Sequence, residues 1–317
     1  MPADPVAPPR WRVLLAFAAV YLVWGSSYLA IRFSLETLPP FLLAGVRFSL
    51  AGALLTVWAL RRGAARPTAA NWKAALIAGA LMFLVANGGV VWAGQHVPSG
   101  VVALMSATIP LWMVLVDWLR LGAARPGFTV FAGLALGFGG IALLAGPPPG
   151  GSDPLYMAGI LLMCVTPIGW AVGSLYSRRS RLPASPMLTT GMQLLCGGLL
   201  LLGLGILTGE LRGFDLVAVS LRSWLALAYL TVVGSIITFS AYIWLLRVEN
   251  PARVGTYAFV NPLVAVVLGA WLGAEPITAQ TLAAAALVVA GIVLITLFRS
   301  GAQPVLRLRA GTQRSLN

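Results

Sequence analysis

Residues 97–112 read VPSGVVALMSATIPLW, and residues 250–264, near the other end of the chain, read NPARVGTYAFVNPLV. Each stretch is apolar, with one proline at its entrance and a second near its middle, Pro110 in the first and Pro262 in the second. Because a proline inside a helix has no N–H and clashes with the preceding turn, the carbonyl four residues earlier loses its partner. Interrupted apolar segments at matching places in two halves of a chain are typical of a transporter's binding site near the bilayer midplane. The pair therefore predicts the centre of a transport pathway.

The composition indicates an integral membrane protein. Of the 317 residues, 59% are hydrophobic and only 9% are charged, whereas soluble domains carry about 25% charged residues. The net charge of +13 comes from basic residues between the apolar segments, so we attribute it to membrane topology rather than to nucleic-acid binding. Cys164 and Cys196 both lie inside apolar runs. The sequence therefore predicts no disulfide framework, no metal site and no cofactor.

Ten apolar segments each have about the 20 residues that a membrane-spanning helix needs. They cover residues 13–34, 39–60, 74–94, 97–118, 127–146, 154–177, 186–208, 222–246, 252–274 and 277–298. The sequence thus predicts an all-α integral membrane protein with ten transmembrane helices. The first segment is too long, and too polar at its end, for a cleaved signal peptide, so we expect it to remain as an anchor helix.

Lysine and arginine residues concentrate in alternate connections. They precede the first segment and follow the second, fourth, sixth, eighth and tenth, whereas the other connections carry mainly acidic residues such as Glu36, Asp153 and Glu275. Basic residues are retained on the cytoplasmic side of a membrane. We therefore expect a multi-pass protein with both termini in the cytoplasm.

The two halves of the chain align with each other, which indicates an internal duplication. Trp24 aligns with Trp170, Arg47 aligns with Gln193, and the two mid-segment prolines align with each other. Since each copy has five helices, an odd number, the second copy must start from the opposite side of the membrane, and the repeats are inverted. The predicted organisation is an N-terminal tail at 1–10, a first repeat at 11–150, a second, inverted repeat at 151–299 and a basic tail at 300–317.

Several motifs resemble the EamA-type drug/metabolite transporter superfamily. They are YLVWGSSYLAIR at 21–32, PP at 39–40, AGVRF at 44–48, VPSG at 97–100, SATIPLW at 106–112, GSIITFSAYIWLL at 234–246 and YAFVNPLVAVVLG at 257–269. The resemblance covers nearly the whole chain and, within the superfamily, is greatest to the YedA-type exporters. It implies an inner-membrane efflux protein for small metabolites or drugs, with ten helices around a central cavity lined mainly by helices 1, 3, 4, 6, 8 and 9. It does not imply a particular substrate.

Nine aromatic or polar side chains within the segments are candidates for substrate binding. They are Trp24, Tyr28, Asn87, Thr108, Trp112, Trp170, Ser174, Tyr257 and Asn261. Trp24 and Tyr28 are four residues apart and share one helical face, although interfacial anchoring is an alternative for them. The amide of Asn87 could equally hold two helices together. The four candidates beside the mid-segment prolines could instead serve only to repair the interrupted helices.

Arg47 is an unusual charged residue about two turns inside the second segment. A charge at membrane depth is costly and is functional by default, but an arginine near the surface can also snorkel or bond a helix end. The AGVRF motif of the transporter superfamily includes this arginine in members with different substrates. We therefore assign Arg47, together with Pro110 and Pro262, to gating or structure. Binding of a substrate carboxylate is the alternative. Nearer the outer surface, we expect Arg32 to pair with Glu36.

A cavity built from these side chains suits small amphipathic solutes that are uncharged or zwitterionic. We expect a secondary transporter that exports such metabolites by alternating access, with aromatic or hydrophobic amino acids as the first choice of substrate. A multidrug exporter of lipophilic cations is the alternative, because aromatic faces attract cations. No carboxylate falls in the expected cavity. We therefore predict facilitated diffusion or exchange rather than proton coupling.

Other classes of protein fit the sequence less well. An intramembrane enzyme would need a nucleophile with a base, or metal ligands, at membrane depth, whereas the single histidine, His96, is expected in an outer connection. A channel or a structural membrane protein shares the composition, but inverted repeats with paired prolines favour a carrier. The expected partners are the lipid bilayer and a small molecule.

Gly133 and Gly137 form a GxxxG pattern that predicts either packing against Ala286 and Ala290 or a homodimer face.

Overall fold

The computed structural model describes residues 9–121, 127–144, 153–249, 254 and 256–299. Within these ranges the chain forms ten helices: α1 (Arg10–Ser34), α2 (Pro40–Arg61), α3 (Ala69–Ala93), α4 (Ser99–Ser106 and Ile109–Leu121), α5 (Phe128–Leu144), α6 (Pro154–Arg179), α7 (Pro186–Leu207), α8 (Leu221–Ala228, Tyr229–Ile237 and Thr238–Val248), α9 (Tyr257–Gly273) and α10 (Ala279–Arg299). Seven of them are long and apolar enough to cross a bilayer, and α5, α9 and α10 are shorter apolar helices. The all-α, ten-helix prediction is confirmed. Nearly all of the predicted tails lie outside the described residues.

The centre of the fold is the antiparallel contact between α2 and α7, which occupy equivalent places in the two repeats. A Cβ on Gly52 of α2 would lie 2.3 Å from the Leu195 nitrogen of α7, and a Cβ on Gly198 of α7 would lie 2.4 Å from the Ser49 nitrogen of α2. These two contacts join equivalent residues in opposite directions. The pair therefore has the local two-fold symmetry of an inverted repeat.

The other equivalent pair, α5 and α10, also packs through glycines. The ideal Cβ of Gly133 would lie 2.9 Å from the Gly291 carbonyl oxygen, and that of Gly291 would lie 2.8 Å from the Gly137 nitrogen. The GxxxG pattern of α5 therefore faces α10 within one chain. The predicted partners on α10, Ala286 and Ala290, are exposed instead, because they lie on a different face of that helix from Gly291.

The helices differ in regularity. Segments of π-helix interrupt α1 (Ala19–Val23), α3 (Ala80–Asn87) and α8 (Tyr229–Ile237), prolines lie inside α6 and α9, and α4 is broken after Ser106. By contrast, α2, α5, α7 and α10 are each a single α-helix in the described residues. Single π turns within helices frequently mark functional sites. The six irregular helices are those that the family resemblance implies around the cavity.

The two mid-segment prolines have different surroundings. The sequence predicts a proline in the middle of a helix at both places, and the structure shows this only for Pro262. At the first place the helix ends at Ser106 and a new one starts at Ile109, so Pro110 lies in a first turn. The backbone nitrogens of a first helical turn have no acceptor within the helix, so a proline at this position costs no hydrogen bond. Between the two pieces, the Thr108 hydroxyl donates to the Met105 carbonyl at 2.6 Å.

Polar contacts tie the expected outer ends of the helices together, and they correct one prediction. Arg32 pairs with Glu275, not with Glu36, and Glu36 pairs with Arg222 at 2.9 Å. Glu275 is only 8% exposed, and it also accepts from the Ser99 nitrogen at 2.9 Å, at the N-terminus of α4. A buried carboxylate on a helix N-terminus attracts a cation more strongly than an exposed one does, which explains why Arg32 reaches across to it.

Replacing Glu275 with Gln should destabilise the protein, because it removes the charge that faces both Arg32 and the N-terminus of α4. We expect the free energy of unfolding to fall by about 1–3 kcal/mol, below the cost of breaking a fully buried pair because Arg32 is partly exposed. Thermal unfolding of the purified protein measures the change. The matched control is Glu36→Gln, in a more exposed pair, which should cost about 0–1 kcal/mol. Equal effects of the two substitutions would contradict this account.

Candidate functional site

A cavity of about 300 Å³ lies between the two halves of the molecule, within the range of small-molecule sites. Its lining residues come from α1, α2, α3, α4, α6, α7, α8 and α9, and none comes from α5 or α10. Eight residues singled out from the sequence line it: Trp24, Tyr28, Arg47, Asn87, Trp170, Ser174, Tyr257 and Asn261. Thr108 and Trp112 do not. The structure therefore brings together most of the candidates from both repeats.

Aromatic rings from α1, α8 and α9 form the first wall of the cavity. The Trp24 ring lies 5.5 Å from the ring of Phe239, 5.2 Å from that of Tyr242 and 5.2 Å from that of Tyr257, measured between centroids. Its Nε1 donates to the Gly234 carbonyl oxygen at 3.1 Å. This carbonyl belongs to the π segment of α8, so the irregular helix supplies the acceptor that fixes the indole. Such tilted and edge-on ring contacts are favourable geometries.

The second wall is built around Trp170, the equivalent of Trp24 in the second repeat. Its ring lies 5.8 Å from Phe83, which in turn lies 4.9 Å from Phe48. Gly173 brings α6 close to α3 beside this ring, since a Cβ there would lie 2.6 Å from the Met82 side chain. The two equivalent tryptophans thus anchor aromatic clusters on different helices. A solute between the walls meets rings contributed by both repeats.

Amide and hydroxyl groups supply the polar part of the cavity. The Asn87 amide nitrogen donates to the Met82 carbonyl oxygen at 3.0 Å, within its own helix, so it serves the π segment of α3. The Oδ1 of Asn261 is buried and has no hydrogen-bond partner among the described residues. An unsatisfied buried acceptor costs about 1–3 kcal/mol. This oxygen is therefore a group that a solute or a second conformation would satisfy.

Pro167 of α6 is a mid-helix proline that the sequence analysis missed. It lines the cavity and removes the N–H that would bond the Met163 carbonyl; the Thr166 hydroxyl donates to that oxygen instead, at 3.4 Å. The rule that singled out Pro262 applies equally to Pro167. Applying it to every segment would have found this residue.

Thr108 and Trp112, which lie at and after the break in α4, do not line the cavity. Thr108 is fully buried, and its hydroxyl is used within the break. The Trp112 ring packs against Phe138 of α5 at 5.0 Å between centroids. The sequence predicts one continuous helix with Pro110 near its middle, whereas the structure has two helical pieces with Pro110 in the first turn of the second.

The cavity lining includes further residues that were not among the predicted substrate contacts, and four of them extend its aromatic and polar surface: Phe239, Tyr242, Gln193 and Ser235. Tyr242 and Phe239 complete the aromatic cluster around Trp24. Gln193 aligns with Arg47 in the internal repeat, so this alignment could have predicted that Gln193 lines the cavity. Ser235 has no such signal, because its place in the cavity depends on the π segment of α8.

Arg47 is the charged residue of the site. It is 9% exposed, and among the charged side chains that the structure describes it alone lines the cavity. Its Nε donates to the Ser235 hydroxyl at 2.9 Å, and its guanidinium carbon lies 4.7 Å from the centre of the Phe48 ring. The cavity therefore has aromatic walls and one positive charge.

A membrane-embedded cavity with aromatic walls from two inverted repeats defines the class of protein as a membrane transporter rather than an enzyme. The chain belongs to the EamA-like transporter family, which it matches over residues 10–146 and 157–297, one match in each repeat. This confirms the family resemblance seen in the motifs.

The relatives agree with this assignment. The chain is 38% identical to the "Uncharacterized inner membrane transporter YedA" of Escherichia coli K12, over 91% of this chain and 93% of the relative. It is 26% identical to the "Uncharacterized transporter YvbV" of Bacillus subtilis, over 90% and 92%. A solved structure titled "Crystal structure of protein" superposes with a TM-score of 0.62 at 24% identity, covering 93% of this chain and all of the other. That likeness supports the fold.

The mid-helix prolines generate a prediction about local stability. Pro167→Ala and Pro262→Ala should each restore a backbone hydrogen bond, and hydrogen–deuterium exchange in the middle of α6 or α9 should slow by about 2- to 10-fold. Pro110→Ala is the control, because a first-turn residue has no such bond to regain. Mass spectrometry of peptic fragments measures the exchange. Slower exchange in Pro110→Ala alone would contradict the assignment of the two interrupted helices.

Proposed function

We propose that the chain exports small amphipathic metabolites by alternating access, with aromatic or hydrophobic amino acids as substrates. The observation that carries this proposal is the cavity between the repeats, whose aromatic walls are centred on the equivalent residues Trp24 and Trp170. The description of the Escherichia coli relative as an inner membrane transporter supports a location in the inner membrane. The basic even-numbered connections support an orientation with both termini in the cytoplasm.

The contacts around the cavity support an alternating mechanism. On the side assigned to the exterior, the Ser223 hydroxyl of α8 donates to the Phe33 carbonyl of α1 at 2.9 Å, and Arg32 reaches Glu275. On the other side, Tyr21 of α1 is hydrogen-bonded to Thr256, directly before α9. Hydrogen bonds and an ion pair thus hold α1 at its C-terminal end, and one further hydrogen bond holds it at its middle, in the π segment. In an alternating mechanism, these contacts break as the corresponding side opens. Rocking of one repeat against the other then exposes the cavity to each side in turn.

Two alternatives are less well supported. Lipophilic cations could bind the aromatic rings by cation–π contacts, but the Arg47 guanidinium in the same cavity repels them. A channel would need a continuous polar path, whereas the Trp24 ring packs tightly against three other rings across one side of the cavity. The positive charge of Arg47 therefore favours zwitterionic or neutral solutes over cations, and the packed Trp24 ring favours a carrier over a channel.

Transport of L-phenylalanine into proteoliposomes tests the proposal. We expect saturable uptake that is accelerated by phenylalanine on the opposite side, as a carrier requires. Trp24→Ala and Trp170→Ala should each raise KM by about 2- to 10-fold, because each removes an aromatic contact.

The matched control is Trp271→Ala, since Trp271 is 77% exposed and lies away from the cavity. It should leave KM unchanged. Uptake of a cationic dye without uptake of phenylalanine would favour the multidrug alternative, and flux that rises without saturation would favour a channel.

The charges around the cavity generate a prediction about energy coupling. Proton-driven carriers use a carboxylate or histidine in the pathway, and none of the acidic side chains that the structure describes lines the cavity. Asp117, for example, lies 3.7 Å from Arg179 near the end of α4. With equal phenylalanine inside and outside, an imposed pH gradient should therefore cause no net accumulation in proteoliposomes. Uphill uptake that disappears in Asp117→Asn would show that this acid couples transport to protons.

A further inference from the structure

Arg47 is a buried charge to which the transport mechanism above gives no task. It lies in the middle part of α2, is 9% exposed and lines the cavity. A charged side chain at membrane depth is costly unless a partner or a water-filled space compensates it. An arginine in such a place therefore has either a structural task or an anionic ligand. The surroundings of Arg47 separate these two explanations.

The helix packing does not require the charge. α2 and α7 are equivalent helices that meet through equivalent glycine contacts, and Gln193 stands on α7 where Arg47 stands on α2. Gln193 is also buried, also lines the cavity, and donates to the Ser177 hydroxyl at 2.7 Å. The same pairing thus accommodates a neutral amide in one copy. A purely structural need for arginine in the other copy is not supported.

Within the described residues, the guanidinium of Arg47 donates hydrogen bonds from its Nε edge only. Nε donates to the Ser235 hydroxyl at 2.9 Å, and that hydroxyl donates onward to the Leu230 carbonyl oxygen at 3.0 Å. In the part of the chain that the structure describes, neither terminal nitrogen of Arg47 has a hydrogen-bond acceptor. Beside Nη2, the absent side chain of Gly234 leaves room, since a Cβ there would lie 3.6 Å away. The terminal nitrogens are thus available to a ligand.

The described carboxylates do not neutralise this charge. Glu275 binds Arg32 and the N-terminus of α4, Glu210 accepts from the Leu42 nitrogen at 2.9 Å, and none of the other described acids lines the cavity. A guanidinium presents N–H groups in a planar fork that matches the two oxygens of a carboxylate. The missing counter-charge is therefore one that a carboxylate-bearing solute would supply.

We propose that Arg47 binds the carboxylate of the transported solute, so that the cavity accepts amphipathic carboxylates, including amino acids, and discriminates against their amides and amines. This inference rests on the proposed function, because it concerns the same cavity. The Phe48 ring beside the guanidinium contacts Phe83, which contacts Trp170. A solute with its carboxylate on Arg47 therefore places its apolar part along the second aromatic wall.

Three ligands that share a phenyl ring but differ in their charged groups test whether the cavity recognises a carboxylate. L-Phenylalanine carries a carboxylate and an ammonium group, 3-phenylpropionate carries only the carboxylate, and L-phenylalaninamide carries only the ammonium group. Binding to the purified full-length protein in detergent is measured by tryptophan fluorescence and by the shift in thermal midpoint at constant ionic strength. The unsubstituted protein should bind both carboxylates about 10- to 100-fold more tightly than the amide.

Substitutions of Arg47 test whether this residue causes the preference for carboxylates. Arg47→Gln, which introduces the residue present at the equivalent position 193, should abolish the preference and retain binding of the amide. Arg47→Lys keeps the charge but not the planar fork, and it should retain part of the preference. The matched control is Arg61→Gln on the same helix, because Arg61 is exposed and lies away from the cavity. It should keep the full preference.

The possible results are distinguishable. Equal affinity of the unsubstituted protein for the three ligands, or an unchanged preference in Arg47→Gln, would overturn the inference and leave the proposed function intact. Loss of all binding in both Arg47 variants, with correct folding, would assign Arg47 a structural role and also overturn it. No binding of any ligand to the unsubstituted protein would contradict the proposed function and the inference together. The first measurement needs no variant, so it stands even if Arg47→Gln fails to fold.

Discussion

The absence of water from the hydrocarbon interior is the constraint on which this structure depends. A backbone carbonyl freed by a π segment, a break or a proline must find a donor within the protein. The Gly234 carbonyl finds the Trp24 indole, the Met163 carbonyl finds the Thr166 hydroxyl, and the Met82 carbonyl finds the Asn87 amide. Irregular helices must therefore face other parts of the protein. They gather around the cavity, while the regular helices α5 and α10 contribute nothing to its lining.

This constraint also links fold to site. The side chains that repair the irregular helices are aromatic or polar, and they lie where the backbone departs from regular α-helix. The same residues consequently form the surface that a solute meets. The regular helices α2 and α7 add Arg47 and Gln193 to this surface, so the cavity combines side chains beside interrupted backbone with polar side chains on regular helices.

Much of the fold could be predicted from the sequence, since each spanning helix is an apolar run of a length set by the bilayer. The duplication and the residues on one face of α1 followed from simple spacing. The pairing of Arg32 with Glu275 could not be predicted, because it joins residues 243 positions apart and sequence proximity favoured Glu36. Trp112 was grouped with the cavity because Pro110 was expected in the middle of one helix, whereas a second helical piece starts at Ile109 and the Trp112 ring packs against Phe138 of α5. A proline predicts an interrupted helix, but it does not predict which neighbouring helix a nearby side chain contacts.

The antiparallel contact between α2 and α7 has an evolutionary consequence. The fit of Gly52 to Leu195 and the equivalent fit of Gly198 to Ser49 form an isologous interface, of the kind that two identical subunits make across a two-fold axis. A five-helix ancestor with this surface could assemble as a dimer of oppositely oriented copies. Such a dimer would place two arginines in its cavity or none. Fusion into one chain allows the copies to diverge, so that one repeat carries an arginine where the other carries a glutamine, and the pathway can recognise a solute that has no symmetry of its own.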